Sequence, residues 1–219
     1  GGELDARVEE LLELVGMERS AMERYPHAFS GGQRQRFSIA RALALNPRII
    51  IADEATSALD VSIRAQILDL LIELQKRLGL SFMFIAHDIS VVRYFCDRVL
   101  VMYLGQVVET GTVDDIYEAT AHPYTRALLS AMPSMDPDRR ASEAPIAGDP
   151  PNPINPPSGC RFHTRCPMAE PICGQQQPAL QILNQASKHL VACHAMMPGS
   201  GHSAAPSERV AADQSRLAA

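Results

Sequence analysis

The chain has 219 residues, a formal net charge of −5 at pH 7 and 46% hydrophobic residues. That length allows one domain or two small ones, the apolar content is enough for a packed core, and the acidic balance gives no electrostatic case for a nucleic-acid partner. No run approaches the roughly 18 apolar residues that cross a bilayer, and Leu4 to Val15 is too broken by charge to be a signal peptide, so the expectation is a soluble chain that meets a membrane only through a partner. A chain this long has little need of covalent staples, so a reducing cytoplasm is expected, with the five cysteines as thiols or metal ligands.

In chain order, Leu4, Val8, Leu11, Leu12 and Val15 fall at helical spacing before Gly16. Ser30 is a good N-cap for a helix running to Leu45 and ended by Asn46-Pro47. Ile49 to Ala52 reads as a short buried strand, and Ile63, Ile67, Leu70, Leu71, Leu74 and Leu78 form one helical stripe ended at Gly79. Ser81 to Ala86 is the next buried strand, and Ile89 to Phe95 a short helix. Val99–Leu104 and Gln106–Glu109, with Gly105 between them, predict a hairpin. Thr112–Ala119 and Pro123–Met132 read as short helices. The alternation of strands and helices implies an α/β unit with a largely parallel sheet over residues 1–132. Prolines at 133, 137, 145, 150, 151, 153, 156 and 157 then mark an extended linker, 133–157. A compact cysteine-bearing module follows at 158–196, and an Ala/Ser/Gly-rich tail at 197–219 is expected to be disordered.

The chemistry lies between Ser30 and His87. In Ser30-Gly31-Gly32-Gln33 two glycines let a backbone approach a ligand at a helix N-terminus, where free N–H groups and the dipole suit an anion such as a γ-phosphate. Taken alone, the tetrapeptide reads better as a serine-capped helix after a glycine turn. Asp53-Glu54 ends an apolar strand, where one carboxylate can hold Mg²⁺ through water and the other can deprotonate an attacking water; two adjacent acids there are also common as helix-capping charges. A lone histidine such as His87 is usually structural. In this order, and with Arg48-Ile49-Ile50-Ile51-Ala52 before the acids, Ser57-Ala58-Leu59-Asp60 after them and Ala86-His87-Asp88 beyond, the run resembles the second half of an ABC-transporter ATPase.

The resemblance covers roughly Val8 to Met132 and implies a partial P-loop NTPase domain with a helical signature subdomain. By it, Ser30, Gly31, Gly32 and Gln33 are the signature that meets ATP, Asp53 is the Mg²⁺ carboxylate and Glu54 the catalytic base. Asp60 would shape the opposite site across a dimer, and His87 would contact the γ-phosphate. The phosphate-cradling G-x-x-x-x-G-K-[ST] is absent, since the chain has no Gly-Lys dipeptide. The adenine-stacking aromatic and the Q-loop glutamine are absent too. A chain starting at Gly1 in this way is expected to be a fragment of a longer gene product, with unpaired strand edges and an exposed core. It would donate Ser30–Gln33 to a partner without completing a site of its own.

His122-Pro123-Tyr124-Thr125-Arg126-Ala127-Leu128 is, alone, a proline at a helix start. Beside the ATPase features it resembles the extension of oligopeptide and dipeptide importer ATPases. That implies an ATP-hydrolysing subunit energising a peptide importer, with a second identical or paralogous ATPase subunit, transmembrane permease subunits and, indirectly, an extracytoplasmic peptide-binding protein as partners. Its place would be peripheral, on the cytoplasmic face of a bacterial inner membrane, with no nucleic acid involved. A non-transport ABC ATPase of DNA repair or translation, and a non-enzymatic metal-binding or dimer-interaction module, are the alternatives.

Cys160, Cys166, Cys173 and Cys193 are spaced C-x5-C-x6-C-x19-C. Structural zinc sites use tighter pairs, whereas Fe–S sites tolerate varied spacing and often a proline beside a ligand, as in Cys166-Pro167. Some members of the resembled family bind a 4Fe–4S cluster at this pattern. The four cysteines are therefore expected to hold one such cluster, with zinc second and unligated thiols third. His163, His189 and His194 keep a mixed Cys/His site open, and Cys96 reads as a packed residue.

Overall fold

The computed structural model describes residues 2–57, 59–132, 146 and 148–207. Ala58, more than half of the expected linker (133–145 and 147) and about half of the expected tail (208–219) lie outside the described residues. The chain divides into two compact units, Gly1–Phe95 and Cys96–Ala219.

In the first unit, α1 (Gly2–Leu14) buries Leu11 and Leu12, and two 3₁₀ turns lead into α2 (Gly31–Leu43). Ser30 caps α2 reciprocally: its hydroxyl accepts from the Gln33 N–H at 3.3 Å while the Gln33 side chain accepts from the Ser30 N–H at 3.0 Å. α2 ends at Leu43, two residues short of the expected Leu45, which is 92% exposed. The turn that follows places Asn46 at φ 49° before Pro47.

β1 (Ile49–Asp53) and β2 (Ser81–Ile85) pair in parallel, from Ile49 opposite Ser81 to Asp53 opposite Ile85. The crossover is α3 (Val61–Leu78), capped by Asp60 and terminated by Gly79 at φ 63°. Gly32 fixes how α2 meets α3, because a Cβ there would lie 2.6 Å from Ile63 Cγ2. One face of the strand pair is covered: Phe82 and Phe84 pack against Phe95 of α4 (Ile89–Phe95) with ring centroids 5.4 and 5.0 Å apart. The other face is bare, with Ile49 65%, Ile51 66%, Met83 57% and Ile85 41% exposed. The two apolar runs therefore do not form fully buried strands. A continuous apolar run signals a strand covered on both faces, and here only one face has a covering layer.

In the second unit, β3 (Arg98–Tyr103) and β4 (Gln106–Thr112) form the expected hairpin. Its two turn residues, Leu104 and Gly105, both take positive φ, 46° and 77°, which matches the twist of a two-residue hairpin loop. α5 (Val113–Glu118) and α6 (Pro123–Ser130) follow, then α7 (Pro171–Gln175) and two strands with no counterpart in the sequence reading, β5 (Gln181–Asn184) and β6 (His189–Val191). The sheet order is β3-β4-β6-β5 and every pairing is antiparallel, so the parallel arrangement is confined to β1 and β2. Because β4 gives its second edge to β6, the hairpin shares a sheet with the cysteine-bearing segment, and compactness divides the chain at 95/96. The limits 1–132, 133–157, 158–196 and 197–219 remain a proposal.

Candidate functional site

Two strand ends build the first site. β1 ends at Asp53, and Glu54 still donates its N–H to the Ile85 carbonyl at 2.9 Å. Glu54 then takes φ 44°, a left-handed conformation uncommon outside glycine. Its carboxylate meets His87 Nδ1 at 3.1 Å, with both side chains more than half exposed. An ionised carboxylate only accepts, so Nδ1 carries the proton in this pair. The loop around His87 is braced from α3: Arg64 Nη1 pairs with Asp88 Oδ2 at 2.8 Å and Nη2 donates to the Leu59 carbonyl at 3.2 Å. The Ser90 hydroxyl, helped by the Ser90 N–H and by the Arg64 charge, holds the Asp88 carboxyl below its ordinary value against the opposing effect of burial. Sequence reasoning placed Asp88 in the Ala86-His87-Asp88 run but gave no role to Arg64 and missed their pairing, which spans 24 residues and leaves no local signal.

A cleft of about 670 Å³ runs from the first turn of α2 to the end of β1, lined by Gly31, Arg34, Asp53 and Glu54 among others. It brings Gly31 and the acidic pair together. Ser30, Gln33 and Asp60 are instead engaged in helix caps, Asp60 Oδ1 accepting from the Ile63 N–H at 2.9 Å.

The second site is a small cavity lined by Cys160, Cys166, Cys173 and Cys193 with His122, His163, His194 and His202. Gly159, at φ 65°, permits the close approach of its walls: a Cβ there would lie 2.3 Å from the Cys173 carbonyl, which accepts from the Cys160 N–H at 2.7 Å. All five cysteines are free thiols. Burial raises the pKa of Cys160 and Cys166 and pushes that of Cys193 up to about 12, so these groups are thiols at neutral pH until a metal displaces their protons. Four sulfurs without a carboxylate suit a thiolate-held iron or zinc centre in donor chemistry. Their placement is not a ready ligand set, for among the described residues no three His, Cys, Asp or Glu side chains are placed to hold a metal ion.

His189, a possible ligand by sequence, lies elsewhere. Its Nε2 donates to Glu109 Oε1 at 2.9 Å, and its Nδ1 is 3.8 Å from Asp115. Glu109 is fully buried and also accepts from the N–H groups of Ala121 and His122 at 2.8 and 3.0 Å. Burial alone would raise the Glu109 pKa, but these hydrogen bonds outweigh it and the carboxyl sits below its ordinary value. The network fixes the start of α6, where His122 is the N-cap and its Nδ1 accepts from the Tyr124 N–H at 3.0 Å. Tyr103, Tyr124 and Phe162 close an aromatic cluster beside it, with centroids 4.7 to 5.4 Å apart. Burial lowers the His122 pKa to about 4, against an opposing effect of the Glu109 charge.

The profile of the family described as ABC transporter matches residues 3–57. The fold is shared with an ATP-binding cassette of an ABC transporter solved in its ADP conformation, at a TM-score of 0.50 and 24% identity over 58% of this chain and 50% of that one. The chain thus carries part of an ABC-type ATPase domain. Residues 108–173 match the family described as oligopeptide/dipeptide transporter, C-terminal region. The oligopeptide transport ATP-binding protein OppF of Salmonella typhimurium is 53% identical over 189 residues, 85% of this chain and 56% of OppF. The di/tripeptide transport ATP-binding protein DppF of Pseudomonas aeruginosa is 50% identical over 188 residues, 86% of this chain and 57% of DppF. The chain is thus similar, over most of its own length, to ATP-binding proteins of peptide transport, and it spans a little over half the length of those relatives. Among the described residues no helix is long and apolar enough to cross a membrane.

Proposed function

We propose that this chain is the signature-bearing part of an ATP-hydrolysing subunit that energises a peptide importer. The observation that carries the ATPase reading is the meeting of Glu54 and His87 at 3.1 Å beside Asp53, on the ends of two parallel strands. Glu54 is the base for the attacking water and Asp53 the carboxylate that holds Mg²⁺ through water, whose charge would offset that of the phosphates. His87 donates toward the γ-phosphate as charge develops there. Ser30, Gly31, Gly32 and Gln33 serve a site completed by a partner ATPase subunit, the orphan N–H groups of the first α2 turn facing the anion. Asp60 shapes the facing site from the head of α3. The bare face of β1 and β2 is where the remainder of a cassette packs. The peptide-transport reading rests on the 50–53% identity to OppF and DppF, and it is favoured over repair or translation because the matched families are transport families. Permease subunits at the membrane, fed by a peptide-binding protein, are the further partners, and the subunit sits peripherally on their cytoplasmic side.

The test is reconstitution. The 219-residue chain alone is expected neither to bind a fluorescent ATP analogue tightly nor to hydrolyse ATP. Joined to a segment carrying the phosphate-cradling loop, it is expected to do both. Micromolar binding with Mg²⁺-dependent turnover by the chain alone would refute this division of labour.

The four thiols carry a second reading, one 4Fe–4S cluster held by Cys160, Cys166, Cys173 and Cys193 after they close around it, with zinc as the alternative. Their convergence on one cavity supports it. Anaerobic purification is expected to give about four irons per chain, and Cys166→Ser to lose the metal while Cys96→Ser keeps it. Stoichiometric zinc would replace iron in this reading, and metal-free protein would end it.

A further inference from the structure

Three of the four histidines that line the thiol cavity commit a ring nitrogen to a backbone carbonyl. His163 Nδ1 donates to the Cys160 carbonyl at 2.8 Å, His194 Nε2 to the Gln176 carbonyl at 2.9 Å and His202 Nε2 to the Met168 carbonyl at 2.8 Å. His122 differs. Only 1% of the residue is exposed, and its Nε2 is buried without a hydrogen-bond partner. Its other nitrogen settles the tautomer: a backbone N–H can only donate, so the Nδ1 that receives Tyr124 N–H at 3.0 Å carries the lone pair and Nε2 carries the proton. A protonated Nε2 cannot ligate a metal. It is an idle donor, and burying it unmet is unfavourable.

The cavity that His122 lines offers the sulfurs of Cys160, Cys166, Cys173, Cys193 and Met168, and no carboxylate. A neutral thiol or thioether is a weak acceptor, whereas a thiolate, or a sulfide bridging irons, is a charged and strong one. We propose that His122 is the hydrogen-bond donor to the sulfur-held centre of this cavity, a positioning residue whose Nε2–H meets negatively charged sulfur when the thiols bind metal. This rests on the reading that the four thiols hold a metal. It gives the histidine of the His122-Pro123-Tyr124 segment two tasks, capping α6 through Nδ1 and holding the centre through Nε2. Metal binding is thereby coupled to the first turn of α6. A donor to cluster sulfur stabilises the reduced, more negative state.

Two substitutions separate the tasks. In His122→Asn the side-chain oxygen lies where Nδ1 does, so the cap is kept and the distant donor lost. In His122→Gln the amide reaches the Nε2 position, so the donor is kept and the cap lost. With full chains purified anaerobically, His122→Asn is expected to bind the same metal and release it to a chelator about tenfold faster. If the metal is iron, its reduction potential also moves to more negative values. His122→Gln is expected to match the wild type in release and potential while melting at a lower temperature. Equal release from the wild type and His122→Asn overturns the proposal, and so does fast release from His122→Gln, which would mean that only the cap matters. Wild-type protein without metal overturns the thiol reading and this proposal together, a result distinct from metal that is bound and indifferent to residue 122.

Discussion

Glu54→Gln, in a protein that joins this chain to a phosphate-cradling loop, is expected to lower ATP turnover by about 10²–10⁴-fold while leaving ATP binding intact. Glutamine keeps the length of the side chain and an oxygen for His87, but an amide oxygen does not take a proton from water. The backbone makes the effect specific to this position. The Ile85 carbonyl holds the Glu54 N–H at 2.9 Å and φ of 44° turns the residue out of the strand direction, so neighbouring Asp53 cannot take over the role. His87→Ala is expected to cost about 10²–10³-fold, the scale of one lost donor to a developing anion. The exposed Glu54–His87 pair itself adds little to stability, so both variants should melt like the parent. Steady-state hydrolysis and nucleotide titration check this, and near-normal turnover by Glu54→Gln would remove Glu54 from the base role.

Glu109→Ala is expected to destabilise the second unit by about 3–5 kcal/mol, the scale of a buried pair broken by removal of one partner. Two backbone N–H groups and the His189 ring lose their common acceptor at once. The pH dependence has a definite sign. The Glu109 carboxyl sits below its ordinary value in the folded chain, so unfolded chains take up the proton first; its contribution is full above pH 4.5 and is lost as pH falls through the lower folded value. His122 adds a loss at higher pH. Its ordinary value of 6.5 drops to about 4 on folding, so between these limits the unfolded chain is protonated and the folded one is not. That difference removes about 3 kcal/mol by pH 4. Denaturant melts of metal-free protein are expected to show stability falling from pH 6.5 downward, with the acid limb flattened in Glu109→Ala below pH 4.5. Unchanged melting of Glu109→Ala would show that the network contributes nothing.

What the sequence determined by itself is what short-range contacts fix. Ser30 and Asp60 cap their helices through residues three positions on, Gly79 ends α3 because glycine accepts positive φ, and 3.6-residue spacing marks the buried stripe of α3. The family was legible for the same reason, since its motifs are short strings in a fixed order. Only the tertiary structure decided which residues meet. Glu54 and His87 are 33 residues apart and come together because their strands are parallel neighbours in register. An apolar run looks the same whether one face or two are covered, so Ile49–Ala52 alone reads as a buried strand; the exposed core was expected only from the resemblance and its missing phosphate-cradling segment, and the structure decides that the exposure falls on one face of β1 and β2. β5 and β6, four and three residues long, are too short for a pattern. His189 reads as a metal ligand beside cysteines in the sequence, yet chain return over 80 residues gives it to Glu109. The orphan nitrogen of His122 is likewise a property of packing alone: its Nδ1 is taken by the helix cap, and only the tertiary structure shows that Nε2 is buried without a partner in a residue that lines the thiol cavity.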